Sequence, residues 1–146
     1  MHNLNTGYVN MGNLLTTDVN AMYNDLMGAD AIIFDIRNYP NGTAWSIAGL
    51  MYPGSIDYAK LTTPDVYNPG TFYWSYQFAG GSASNPYAGK VILLMNEETQ
   101  SQAEYSCMIL GAIPNSVKVG SQTAGADGNV SYLKIATNIV TYFTNL

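Results

Sequence analysis

Two short apolar runs limit the folds open to this chain more than any other feature. Residues 31–36 (Ala-Ile-Ile-Phe-Asp-Ile) and 90–95 (Lys-Val-Ile-Leu-Leu-Met) are too short for core helices and too continuous for half-solvated strands. Each therefore reads as a strand buried on both faces. Each also leads through a polar turn into helical spacing, over residues 44–51 in one case and 101–112 in the other. Strands that alternate with helices in this way close onto a parallel sheet.

The remaining segments extend the pattern. Residues 7–11 alternate as a first strand, and Thr16-Thr17-Asp18 caps a helix whose apolar positions are Val19, Met22, Tyr23, Leu26 and Met27. Asn38-Tyr39-Pro40-Asn41-Gly42 forms a tight loop, and Pro53-Gly54 ends the second helix. Residues 54–88, rich in Tyr, Pro and Gly, are the least regular part. Their one alternating run, residues 71–76, predicts a hairpin that covers a cleft. A short strand at 117–119, a Gly-rich loop at 121–128 and strand pattern to the end complete the order β-α-β-α-(β)-β-α-β-β. This is an α/β fold with mostly parallel strands, and residues 1–146 read as a single domain.

Composition removes several classes of function. Hydrophobic residues make up 47% of the chain and charged ones only 10%, so little of it is built to face water. The net charge of -5, with Arg37, Lys60, Lys90, Lys118 and Lys134 scattered, leaves no basic stripe for nucleic acid. No apolar run reaches the ~20 residues of a membrane span. The single Cys107 falls in an apolar helix, which favours an inert buried thiol. One His, one Cys and dispersed carboxylates offer no metal cluster, and residues 125–128 lack the Lys-Ser/Thr of a phosphate loop, so no cofactor is implied. Both ends look cut, and the chain reads as a piece of a longer protein whose open strand edges favour pairing between copies, a homo-oligomer.

The chemistry concentrates in Asn96-Glu97-Glu98-Thr99-Gln100-Ser101-Gln102-Ala103-Glu104. Strand, polar turn, Ser, helix presents a hydroxyl at a helix N-terminus, where free amides and the positive dipole end stabilise an oxyanion. The same residues also fit a plain capping box, Ser101-x-x-Glu104.

Three segments taken together resemble peptidase family S41, the C-terminal processing proteases and the tricorn protease. Phe34-Asp35-Ile36-Arg37-Asn38-Tyr39-Pro40-Asn41-Gly42 is similar to the family's D-[LI]-R-N-x-x-G-G loop. Residues 96–104 are similar to its S-x-[SA]-E nucleophile segment, and Val119-Gly120-Ser121-Gln122-Thr123-Ala124-Gly125-Ala126-Asp127-Gly128 to its V-G-x-x-T-x-G turn. The resemblance implies a fold like the β-β-α spiral core of Clp protease and crotonase. It implies peptide-bond hydrolysis through an acyl-enzyme on Ser101, with the Gly42 and Gln102 amides holding the oxyanion. The substrate would be a protein or peptide, and the setting a bacterial periplasm or envelope.

The departures bear on the base. Where Ser/Lys members carry their general-base Lys, this chain has Ala126, and neither Lys118 nor Lys134 falls in the motif. The His of the tricorn-type branch would lie before the first segment, while His2, the only His here, reads as a remnant at the chain's edge. Asp127 stands as a second candidate, an orienting carboxylate or a turn former. The base is expected from outside this chain, leaving the isolated piece nearly inactive. Two alternatives remain open: a non-catalytic carrier on the same scaffold, like the retinoid-binding modules, and a crotonase-type acyl-CoA enzyme, which has no use for Ser101.

Overall fold

The computed structural model describes residues 5–144, so His2 lies outside the described residues. The elements in chain order are β1 (Thr6–Asn10), α1 (Val19–Leu26), β2 (Ala31–Asp35), α2 (Ala44–Met51), β3 (Pro53–Pro64) and β4 (Phe72–Ser82). They continue with β5 (Lys90–Met95), α3 (Gln102–Gly111), β6 (Ser116–Gly120), β7 (Val130–Ala136) and β8 (Ile139–Thr144). A four-stranded sheet in the order β1-β2-β5-β6 forms the centre, and its three pairings are all parallel. Two antiparallel hairpins, β3-β4 and β7-β8, stand beside it. Among the described residues no helix is long and apolar enough to cross a membrane.

The apolar runs go where their continuity demands. Ile32 and Phe34 of β2 and Val91 and Leu93 of β5 have no solvent exposure, because helices sit against the sheet. Ile47 and Ala48 of α2 and Ile109 and Leu110 of α3 complete that core. Parallel pairing places the ends of β2 and β5 side by side, with Asp35 opposite Leu94, and the Ile36 amide still donates to the Leu94 carbonyl at 2.9 Å. The two loops that follow these strands therefore leave from neighbouring points at the carboxyl edge, where open α/β sheets place their ligands.

One detail differs from the sequence expectation, and a second extends it. Thr16–Asp18 forms a single 3₁₀ turn ahead of α1, with no side-chain cap on the helix. The Thr17 hydroxyl instead donates to the Asp18 carboxylate at 3.0 Å, so the polar groups satisfy each other. The irregular stretch at 54–88 resolves into β3 and β4, a long hairpin with a bulge between Asp57 and Ala59. Its strand pattern is hard to see because Phe72, Trp74, Tyr76 and Phe78 share an exposed face, the reverse of the usual alternation. The base of β4 lies against the α2 backbone: a Cβ on Gly81 would sit 3.0 Å from the Gly49 carbonyl oxygen.

Truncating Phe34 to Ala opens a cavity beneath both loops. The expected cost is about 3–5 kcal/mol, read from the urea midpoint of the purified chain.

Candidate functional site

The loop after β2 is fixed from several directions. The Asp35 carboxylate, 5% exposed, takes Arg37 Nε at 2.9 Å and Nη2 at 2.7 Å. It also accepts from the Arg37 amide at 3.1 Å and the Tyr8 hydroxyl at 2.7 Å. The Arg37 guanidinium holds the Asp35 carboxyl at about 2, against the opposing effect of burial and with help from Tyr8. Further along, Asn41 stands where the resembled loop has Gly, and its side chain donates to the Gly12 carbonyl at 2.8 Å and the Leu14 carbonyl at 3.2 Å. Gly42 then turns the chain at φ +72°, a conformation that few L residues tolerate.

The turn after β5 is stitched to that loop by a buried hydroxyl. Thr99 Oγ1 donates to the Ile36 carbonyl at 3.1 Å and accepts from the Asn96 amide at 3.1 Å. The Thr99 carbonyl accepts from the Ala124 amide at 2.9 Å, which brings in the Gly-rich loop. Ser101 follows at φ 52°, ψ −123°. A helix N-cap normally has extended backbone, so this is not the conformation that capping selects. Ser101, half-buried in the turn between β5 and α3, has a strained backbone, and such strain clusters at functional sites.

Glu104 anchors this arrangement. Its carboxylate accepts from the Ser101 amide at 3.2 Å, the Gly125 amide at 2.8 Å and the Ala126 amide at 2.8 Å. The Ser101 amide also donates to the Ala126 carbonyl at 2.8 Å. Burial alone would raise the Glu104 carboxyl, but the Thr123 hydroxyl and the three amides outweigh it and lower it below its usual value. The capping box read from the sequence is present, and it serves a larger purpose, holding residues 123–126 against the start of α3.

Gln102 joins the two loops directly. With its amide oriented by its neighbours, Oε1 accepts from the Gly42 amide at 3.2 Å and Nε2 donates to the Pro40 carbonyl at 3.2 Å. The fold thus brings together Ser101, Gln102 and Gly42, the three residues singled out from sequence, and puts Ala126 against the Ser101 amide. Asp127 follows next to it. Lys118 is set apart: its ammonium lies beside Gly111, at the far end of α3 and some 15 Å of helix from Ser101. Lys134 is exposed on β7. Cys107 is buried and its thiol is pushed up to about 11 by that burial, which leaves it inert. The described residues hold no group of three or more His, Cys, Asp or Glu that could bind a metal. Sequence reasoning missed Thr99, Tyr8 and the Gln102 side chain, whose partners lie far away in the chain.

Asp35 sets a pH dependence. Its folded value lies below the unfolded one, so its contribution is complete above about pH 4. That contribution is lost as the pH falls towards about 2. Urea unfolding at pH 6, 4 and 3 is expected to show a stability drop across this window. Asp35→Asn should be weaker at pH 6 and show a flatter decline.

Among curated proteins none matches this chain. Solved structures do match. A candidate peptidase from Parabacteroides merdae superposes with a TM-score of 0.76 at 16% identity, over 96% of this chain and 47% of that one. Mature CPAF in complex with lactacystin gives a TM-score of 0.68 at 11% identity, over 88% and 38%. The photosystem II D1 C-terminal processing protease gives 0.59 at 19% identity, over 95% and 38%. At these identities the likeness establishes the fold, and this chain spans less than half the length of each of the three. The model of peptidase family S41 matches residues 5–145, and the chain therefore belongs to peptidase family S41.

Proposed function

We propose that this chain is the nucleophile-bearing core of a serine-type peptidase that cleaves protein or peptide substrates. The Ser101 hydroxyl attacks the scissile carbonyl and passes its proton to a base contributed from outside residues 5–144. The tetrahedral oxyanion is held by the Gly42 and Gln102 amides, and collapse releases the amine and leaves an acyl-enzyme that water hydrolyses. Before substrate arrives, the Gly42 amide is bonded to Gln102 Oε1, a neutral acceptor that a substrate carbonyl displaces. The observation that carries this reading is the Ser101 backbone at φ 52°, ψ −123°, on a strand-to-helix turn beside the Gly42 loop. A residue serving only as a cap has no reason to accept that cost.

Ala126 accounts for the expected weakness of the isolated chain. Its backbone touches Ser101, yet its side chain is a methyl with nothing to take a proton. Loss of one member of a catalytic set leaves only the residual acceleration from the oxyanion hole and binding.

Fluorophosphonate labelling of the complete gene product, with the modified peptide located by mass spectrometry, tests the reading. Label is expected on the Ser101 peptide and absent in Ser101→Ala. In the isolated chain, Ala126→Lys is expected to raise the labelling rate by about tenfold or more, as a nearby amine supplies general-base assistance. A folded complete protein that stays unlabelled would return Ser101 to a capping role and put the carrier reading first.

A further inference from the structure

A cavity of about 400 Å³ is walled in part by Tyr105, which lies one helical turn after Ser101. Leu61, Tyr105, Ala126 and Asp127 contribute to its wall. Tyr105 sits four residues after Ser101, on the same face of α3, and the Ala126 carbonyl accepts from the Ser101 amide at 2.8 Å. A substrate with its carbonyl at Ser101 would therefore have a neighbouring side chain at the mouth of this cavity.

The lining is mixed in a way that selects a side-chain chemistry. Leu61 and the Tyr105 ring offer apolar surface for a methylene stem, and Ala126 adds only a methyl, leaving the space open. Asp127 supplies a single exposed carboxylate. Loop Asp residues ordinarily stabilise their own turn, as Asp65 does by accepting from the Tyr67 amide at 2.9 Å and the Asn68 side chain at 2.7 Å. Asp127 instead contributes to the wall of the cavity and is exposed to solvent. Among the described residues the one ion pair is Arg37–Asp35, and the Lys60 ammonium lies over the Tyr76 ring at 5.1 Å. The Tyr105 phenol is raised first by burial and next by the negative charge of Asp127.

We propose that this cavity is a specificity pocket for a long cationic side chain, Lys or Arg, of a peptide substrate, with Asp127 as its counter-ion. The proposal rests on the reading of Ser101 as nucleophile. The stem lies along Leu61 and Tyr105, and the ammonium or guanidinium meets the Asp127 carboxylate with the Tyr105 hydroxyl beside it. Because the carboxylate is solvent-exposed, the preference it gives is moderate.

The test uses the complete gene product and three peptidyl phosphonates that differ only in the side chain next to the reactive phosphorus: Lys, norleucine and Glu. The Lys probe is expected to label Ser101 about fivefold faster than the norleucine probe, with the Glu probe slowest. Asp127→Asn should erase the Lys advantage, so that the ratio of Lys-probe to norleucine-probe labelling falls to about one. A Lys advantage that is absent, or that survives Asp127→Asn, overturns the pocket. If the plain fluorophosphonate fails to modify Ser101, the nucleophile reading falls, and the pocket is then decided by titration alone. Adding Nα-acetyl-lysine methylamide to the ¹⁵N-labelled chain is expected to shift the Gly125, Asp127 and Gly128 amides. The norleucine analogue, or Asp127→Asn, should abolish those shifts, and no movement with the lysine compound rejects the pocket.

Discussion

The carboxylate of Glu104, 7% exposed inside the first turn of α3, accepts hydrogen bonds from the nearby Ser101 amide and from the Gly125 and Ala126 amides more than twenty residues further on. A buried carboxylate is costly unless its lone pairs are filled, and here filling them requires residues 123–126 to fold back onto the start of the helix. The requirement runs in both directions. The Gly-rich loop contributes little apolar surface of its own, and this anchoring gives it one position. Ser101 in turn has its amide held between Glu104 and the Ala126 carbonyl, which leaves its backbone little choice of conformation.

A second set of contacts brings the other half of the site into place. The parallel pairing of β2 and β5 delivers both loops to one edge of the sheet, but strand pairing alone sets their spacing only coarsely. Thr99 closes the gap from below, through the Ile36 carbonyl, and Gln102 closes it from above, through Pro40 and Gly42. Asp35, clamped by Arg37 and Tyr8, keeps the first loop from swinging away from β1. The two loops are thus held in place by bonds that do not involve substrate.

How much of this the sequence disclosed follows from the range of each interaction. Strands β2 and β5 and helices α2 and α3 were legible because continuous apolar runs and helical spacing are local signals that survive without a partner. Ser101 and Gly42 were singled out through three short motifs in order, and the fold brings the two loops that carry them to one edge of the sheet. A hairpin was legible in residues 71–76, but the full length of β3 and β4 was obscured because Phe72, Trp74, Tyr76 and Phe78 face solvent, so burial does not impose the usual alternation. Thr99 and the Gln102 side chain carried no local signal at all, since their partners at Ile36, Pro40 and Gly42 come from a different crossover of the sheet. Glu104 was legible as a cap, while its hold on residues 125 and 126 was not, for the same reason.

The account turns on the claim that the backbone at Ser101 is held against its own preference, with the network around Glu104 sustaining the strain. Thermal and urea unfolding of Ser101→Gly beside Ser101→Ala measures that claim directly. Glycine accepts φ 52° freely, so relief of strain should outweigh its extra chain entropy and make Ser101→Gly more stable than the parent by about 1 kcal/mol, while Ser101→Ala shows no such gain. A Ser101→Gly chain no more stable than the parent would mean that the turn is relaxed and that Ser101 is an ordinary helix cap.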